Sequence, residues 1–556
     1  MKKIIAITLA VMMAASTTAC SSGGSAPTAA APAETTASAE ASKESESETL
    51  VDEYKEAEVE ADEDKVVKGG KLVIGTLTEC NSYASWRIRS EFYLLGPVYE
   101  PLIQFDENGE IQPYLAESLT ADPENLTYTV KLRDGVTFSD GSPLDGEALL
   151  WNFENFKENS QTSSTHFGSV DHFELVDDMT VVIHLTEWNT QIPFSLNNCA
   201  GMMYSKKAFD ENGYDWCLEH PVGTGPYVLV ENVTDSYKKF VKNENYWNTE
   251  EPPLYDEIEA RILGDNMAAQ AALLNGDIDI FNGGDYGMKN NLVEMGYNLY
   301  QNKMWYRATF LIFGSDVEGS PMCDARVRKA IAYAIDADAM VKALDYNRTF
   351  VSNQYAVEGT PFYNPDVVGY DYNPEKAKEL LAEAGYADGF STKIVTGINQ
   401  DCERYMIAIQ DYLSAVGIDA ELVYLDNAAW QSSGIYEIDD GMIRSFHGYG
   451  SNLVNQADAN FSKRAVGGVG MLNKSKIHPD DLDDVLMRAL SATDENEMYS
   501  LMQEAEKLII DEYMIGYPVI TSYYDQIITQ PNIVDVGFCN TFNRGNNYNK
   551  LYRVEK

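Results

Sequence analysis

Between residues 392 and 446 the chain switches repeatedly from a two-residue to a helical hydrophobic period, always in the same order. A strand expected at 392–396 leads to a helix at 401–416, stopped by Gly417. A strand at 420–425 leads to a short helical piece holding Trp430, and a strand at 442–446 leads to a loop at 447–461. Strands separated by helices pair in parallel, because the helix carries the chain back to the starting edge of the sheet. The chain is therefore α/β. At 556 residues it is long enough for two sizeable cores.

The formal net charge is −46 and the isoelectric point about 4.3. Such a chain repels nucleic acid and anionic lipid, so nucleic-acid binding is excluded as a function class. The excess acid reads as a solvated surface, with a lure for cationic ligands as the alternative. Cysteines Cys80, Cys199, Cys217, Cys323, Cys402 and Cys539 show no zinc spacing, and the pairing of Cys199 with Cys217 stays open. Lys2 and Lys3 precede an apolar run, 4–15, and small residues up to Cys20, which is the pattern of a secretory signal over 1–19. The stretch resembles a bacterial lipoprotein signal, although Thr17 stands where Leu is usual. That resemblance implies lipidation of Cys20. Residues 20–68 then read as a lipidated cysteine and a disordered acidic tether, since their composition buries too little apolar surface to offset chain entropy. As a flexible coil the tether reaches roughly 35–40 Å.

The opening of the ordered part follows local rules. Residues 126–133 alternate, with Leu126, Tyr128, Val130 and Leu132 on one face. Asp134-Gly135 and Asp140-Gly141 turn the chain, Ser142 is placed to cap a helix, and Leu149, Phe153 and Phe156 share one face of it. Further on come Gly223-Thr224-Gly225-Pro226-Tyr227, Asn245-Tyr246-Trp247 and Gly276-Asp277-Ile278-Asp279-Ile280. Asp324 caps a helix over Val327, Ala330, Ile331 and Ala334, and Asn373-Pro374-Glu375 starts another that Gly385 closes. These segments, in this order, resemble family 5 of the bacterial extracellular solute-binding proteins, the peptide, nickel and oligosaccharide receptors of ABC importers. The resemblance covers roughly residues 71–530. It implies a two-lobed periplasmic-binding-protein-like fold of the cluster C type, with a hinge and an interlobe cleft. Lobe 1 is expected at 69–312 plus 521–556 and lobe 2 at 313–520.

In parallel α/β sheets ligands bind beyond the carboxyl ends of strands. That rule selects Asn282 and the segment His447-Gly448-Tyr449-Gly450-Ser451-Asn452. Peptide receptors of the family carry Gly-Trp-x-x-Asp here, the Asp pairing with the ligand's α-amino group. Tyr449 stands at the Trp position and Asn452 at the Asp position, so the contact of shape is kept and the charge is lost. The resemblance also implies a ligand-facing Trp430, and places Tyr83 and Trp86 in a loop facing the cleft. Asp458 is a candidate replacement for the missing anion. His447 reads as a hydrogen-bonding group at the rim, not a metal ligand. No nucleophile elbow, Walker A loop or HExxH motif occurs. The expectation is a non-enzymatic, cofactor-free receptor, read as a monomer, lipid-anchored on the extracellular face of the cytoplasmic membrane. Its partners are a small solute and the ABC permease and ATPase subunits. An oligosaccharide receptor is the alternative within the family, and a secreted hydrolase the alternative outside it.

Overall fold

The computed structural model describes residues 65–80, 82–87, 92–106, 109–397, 400–426, 429, 441–450, 453–463, 477–524, 526–539 and 547–555. The signal segment, Cys20, the tether up to residue 64, Trp430 and Asn452 lie outside them. The alternation at 392–446 forms parallel pairs as expected. Strand Phe390–Gly397 runs parallel to both Ile418–Leu425 and Met442–Tyr449, with helix Gln400–Ala415 as the first crossover. The sheet then becomes mixed, because Met442–Tyr449 pairs antiparallel with Tyr306–Phe313, and that strand pairs antiparallel with Gly516–Tyr523. Five strands result. Side chains alternate across it. Phe310, Ile312 and Ile443 enter one core, and Leu311, Phe313 and Met442 enter another on the opposite face.

A seven-stranded sheet forms the second body of structure. Its strand Lys71–Thr76 runs parallel to Glu257–Ile262 on one side and to Ile280–Asn282 on the other. A four-stranded antiparallel sheet stands beside it in sequence, holding Thr127–Leu132 and Thr180–Leu185 at its centre. Tyr128, Val130 and Leu132 are buried, whereas Leu126 leaves the strand at φ 54°. Helix Gly146–Asn159 buries Leu149, Phe153 and Phe156 in the same core. Its cap is Asp145, whose carboxylate accepts from the Ala148 amide, and not Ser142. Ser142 is occupied in a turn, where its amide and hydroxyl both donate to Asp140.

The sequence segments Gly223–Tyr227 and Asn245–Trp247 meet at one buried carboxylate. Glu100 accepts from Tyr114 and Tyr246 hydroxyls at 2.9 and 2.5 Å, from Trp247 Nε1 at 2.8 Å and from Thr224 Oγ1 at 2.9 Å. Burial pushes its carboxyl up, and these bonds only partly offset the shift.

The chain passes between the large sheets at 301–306 and again at 523–526. The divisions expected at 312/313 and 520/521 therefore fall inside strands. Tyr306 is already paired with Tyr449 and Tyr523, which commits the whole of Tyr306–Phe313 and Gly516–Tyr523 to the five-stranded sheet. Cys199 and Cys217 are buried and are not joined to each other by a disulfide, and Cys199 Sγ lies 3.4 Å from His166 Nε2.

Candidate functional site

Two strand ends picked out by the carboxyl-end rule converge on these crossings. Asn282 ends its strand between Thr76 and Ile527. Ile527 lies just beyond Tyr523, which pairs with Tyr306, which pairs in turn with Tyr449. After Asn282 the chain turns through Gly283 and Gly284, at φ 143° and 88°, conformations that glycine adopts without a side-chain clash. Asp285 then caps helix Tyr286–Glu294, accepting from the Met288 amide at 2.8 Å.

On the other side, the expected loop at 447–461 is replaced by regular structure. The strand continues to Tyr449, because His447, Gly448 and Tyr449 find partners in Ala308, Arg307 and Tyr306. Helix Leu453–Phe461 follows and carries Asp458, half-buried. Gly448 is required where it stands. A Cβ there would lie 2.5 Å from Tyr524 Cε2 and 3.1 Å from Trp305 Nε1.

The aromatic rings gathered at the crossing were not selected from the sequence. Tyr306, Phe350 and Tyr523 form a half-buried triangle with centroids 6.3, 5.8 and 5.8 Å apart. Burial pushes the Tyr306 hydroxyl up to about 12, so it remains a neutral donor. Phe350 is fixed by a two-way backbone bridge to Thr521. The preceding loop is built on Asp345, fully buried, which accepts from Tyr405 at 2.7 Å and from Thr349 at 2.5 Å. Tyr346 and Asn347 are both left-handed, at φ 56° and 58°. That loop sends Arg348 to Asn290 on helix Tyr286–Glu294, 2.9 Å away. The only signal for it in the sequence is Asp345-Tyr346-Asn347, whose Asn tolerates the left-handed region.

Tyr83 and Trp86 are placed elsewhere. Trp86 is 1% exposed, and its ring meets Trp151, Tyr204, Phe209 and Tyr214. Tyr83 is 4% exposed, donates to Asn232 Oδ1 at 2.9 Å and lies under the Lys238 ammonium. Neither ring offers a stacking face to a solute in this arrangement, because other side chains already cover it. Among the described residues no group of three or more His, Cys, Asp or Glu is arranged to hold a metal ion.

Comparison with known proteins decides the family. Residues 110–459 match the family model described as bacterial extracellular solute-binding proteins, family 5, middle part. This chain belongs to family 5 of the bacterial extracellular solute-binding proteins. Relatives within reach of sequence comparison include the glutathione-binding protein GsiB of Salmonella paratyphi A, 30% identical over 439 residues, covering 74% of this chain and 81% of the relative. GsiB of Pectobacterium atrosepticum is 29% identical over 427 residues, covering 74% and 80%. Solved family 5 folds superpose closely. The periplasmic binding protein DppA from Helicobacter pylori, in complex with the peptide STSA, has a TM-score of 0.76 at 23% identity, over 89% of this chain and 99% of that one. NikA from Brucella suis, in complex with Fe(III)-EDTA, has a TM-score of 0.77 at 22% identity, over 87% and 100%. Family 5 proteins are solute-binding components of ABC importers, which accords with a protein that is not an enzyme.

Proposed function

We propose that this protein captures a peptide or peptide-like solute between two lobes and delivers it to an ABC permease and its ATPase. One lobe is built on the seven-stranded sheet and the other on the five-stranded sheet. A single observation carries the reading: the strand ends at Asn282 and Tyr449 converge on the two chain crossings beside the Tyr306, Phe350 and Tyr523 rings. Closure over the solute requires contacts from both lobes, since only a difference in affinity between open and closed forms shifts that equilibrium. Trp430, His447, Tyr449, Asn452 and Asn282 are the ligand-facing residues in this reading. The signal ending at Cys20 makes the receptor a lipoprotein, held by a tether on the extracellular face of the membrane.

Support for peptide-like solutes comes from relatives that bind glutathione and from a fold neighbour holding a peptide. Asn452 cannot neutralise a buried ammonium, so a free α-amino group contributes little to affinity here. Calorimetric titration with Ala-Ala-Ala, its N-acetylated form and reduced glutathione tests this. Comparable affinity for the free and acetylated peptides is expected. Tight binding of the free peptide alone would assign the amine to another acid, with Asp458 the first to mutate. The half-buried aromatic triangle also suits a sugar face. Failure of all three probes with binding of gluco- or xylo-oligosaccharides would move the assignment to the oligosaccharide receptors.

A further inference from the structure

The short segment between strand Thr180–Leu185 and helix Ile192–Asn197 reaches out of the seven- and four-stranded part of the molecule to the far end of helix Asp480–Ser491. Trp188 Nε1 donates to the Ala492 carbonyl at 3.2 Å, and the Thr190 amide donates to the Leu490 carbonyl at 3.2 Å. The last carbonyls of a helix have no partner within it, so they are natural acceptors for a donor brought from outside. Here those donors come from another part of the molecule. The segment is rigid on its own side. Trp188 stacks on Tyr128 at 4.7 Å and 13°, the Tyr128 hydroxyl donates to the Asn189 carbonyl at 3.1 Å, and Asn189 Nδ2 donates to Ser169 Oγ at 3.0 Å. Trp188, Leu490 and Ala492 are all at least nine-tenths buried. A few residues on, Phe194 stacks on Trp305 at 5.7 Å with planes 1° apart, and Trp305 borders Gly448 on the strand that ends at Tyr449.

We propose that Trp188 and Thr190 form a clasp that favours the closed arrangement of the two lobes without touching the solute, and so act as positioning residues for capture. The donors are anchored to one sheet and the acceptors to a helix packed on the other. Relative movement of the lobes must therefore break both bonds together and expose the indole. The clasp rests on the reading of capture by lobe closure, but the hydrogen bonds themselves are independent of which solute is bound.

The test uses the full chain without ligand. Trp188→Phe keeps a ring on Tyr128 but removes the N–H donor together with one ring of the indole. Hydrogen exchange of the Thr190 amide should accelerate about fivefold, the equivalent of one net hydrogen bond. The radius of gyration from solution scattering should rise, and the thermal unfolding midpoint should fall by no more than a few degrees. Trp216→Phe, which alters a ring stacked on His220 away from this contact, is the control and should leave both readouts unchanged. Unchanged Thr190 exchange and scattering in Trp188→Phe would overturn the clasp. The capture reading fails separately if Trp188→Phe opens the molecule but a mixture of Ala-Ala, Ala-Ala-Ala and reduced glutathione, with gluco-oligosaccharides added in a second arm, closes neither form.

Discussion

Glu506 shows how one buried side chain makes this molecule sensitive to pH. It is 1% exposed, and its two oxygens accept from the Tyr355 and Ala356 amides at 3.0 and 2.8 Å. Burial pushes its carboxyl up to about 8, against the lowering effect of those two bonds. A carboxyl raised on folding favours the folded state in its protonated form. That contribution is complete below the ordinary carboxylate value and is lost as pH rises through about 8. The unfolding temperature should therefore fall between about pH 5 and about pH 8 and level off above that. Glu506→Gln keeps an acceptor and titrates nothing, so scanning calorimetry should find that fall reduced; an equal fall in both proteins would assign it to another group. The proposed anchoring rests on a second residue, Cys20. If the lipid is attached there, Cys20→Ala should move the protein from the membrane fraction to the medium, read by fractionation and immunoblot, with its circular dichroism unchanged.

At the scale of single elements, helix starts obey rules that span only a few residues, yet competition between neighbouring candidates needs the fold. Ser142 and Asp145 both precede the helix at Gly146–Asn159, and either residue type caps well. Asp140 decides the outcome by holding the Ser142 amide and hydroxyl, and it also accepts from Ser205, the cap of helix Lys206–Asn212. Asp145→Ala should cost about 1 kcal/mol in urea unfolding, the usual loss for a cap. Ser142→Ala should cost less, and a larger loss at Ser142 would reverse the assignment. The strand at Met442–Tyr449 teaches the complementary point. His447 and Gly448 have the composition of a turn, but the backbone groups of Ala308 and Arg307 pair with them, and the ladder runs on to Tyr449.

For the whole molecule, the sheet order puts the proposed site at the crossings. The seven-stranded sheet sends the chain out after Gln301 and takes it back at Gln526, so the Tyr306 and Tyr523 rings sit where the chain passes from one sheet to the other. A solute bound there should stabilise the protein by about 2.7 kcal/mol at a hundred times its Kd. The bridge from Arg348 to Asn290 and the Trp188 contact with Ala492 lie on different elements, so the parts built on the two large sheets touch in more than one place.

The sequence by itself determined whatever depends on near neighbours. The Asp324 and Asn373 caps, the burial of Leu149, Phe153 and Phe156, and the parallel pairing around Phe390–Gly397 all follow from spacing along the chain. The family, too, was legible, because its motif segments lie in order along the chain. Only the tertiary structure decided which aromatic rings are covered. Trp86 disappears beneath Trp151 and Tyr204, and Trp188 finds its acceptor 304 positions away. Tyr306 and Tyr523, far apart in the chain, become neighbours at the site. No local pattern encodes such pairings, since the exposure of a ring is set by the surfaces that distant segments bring against it.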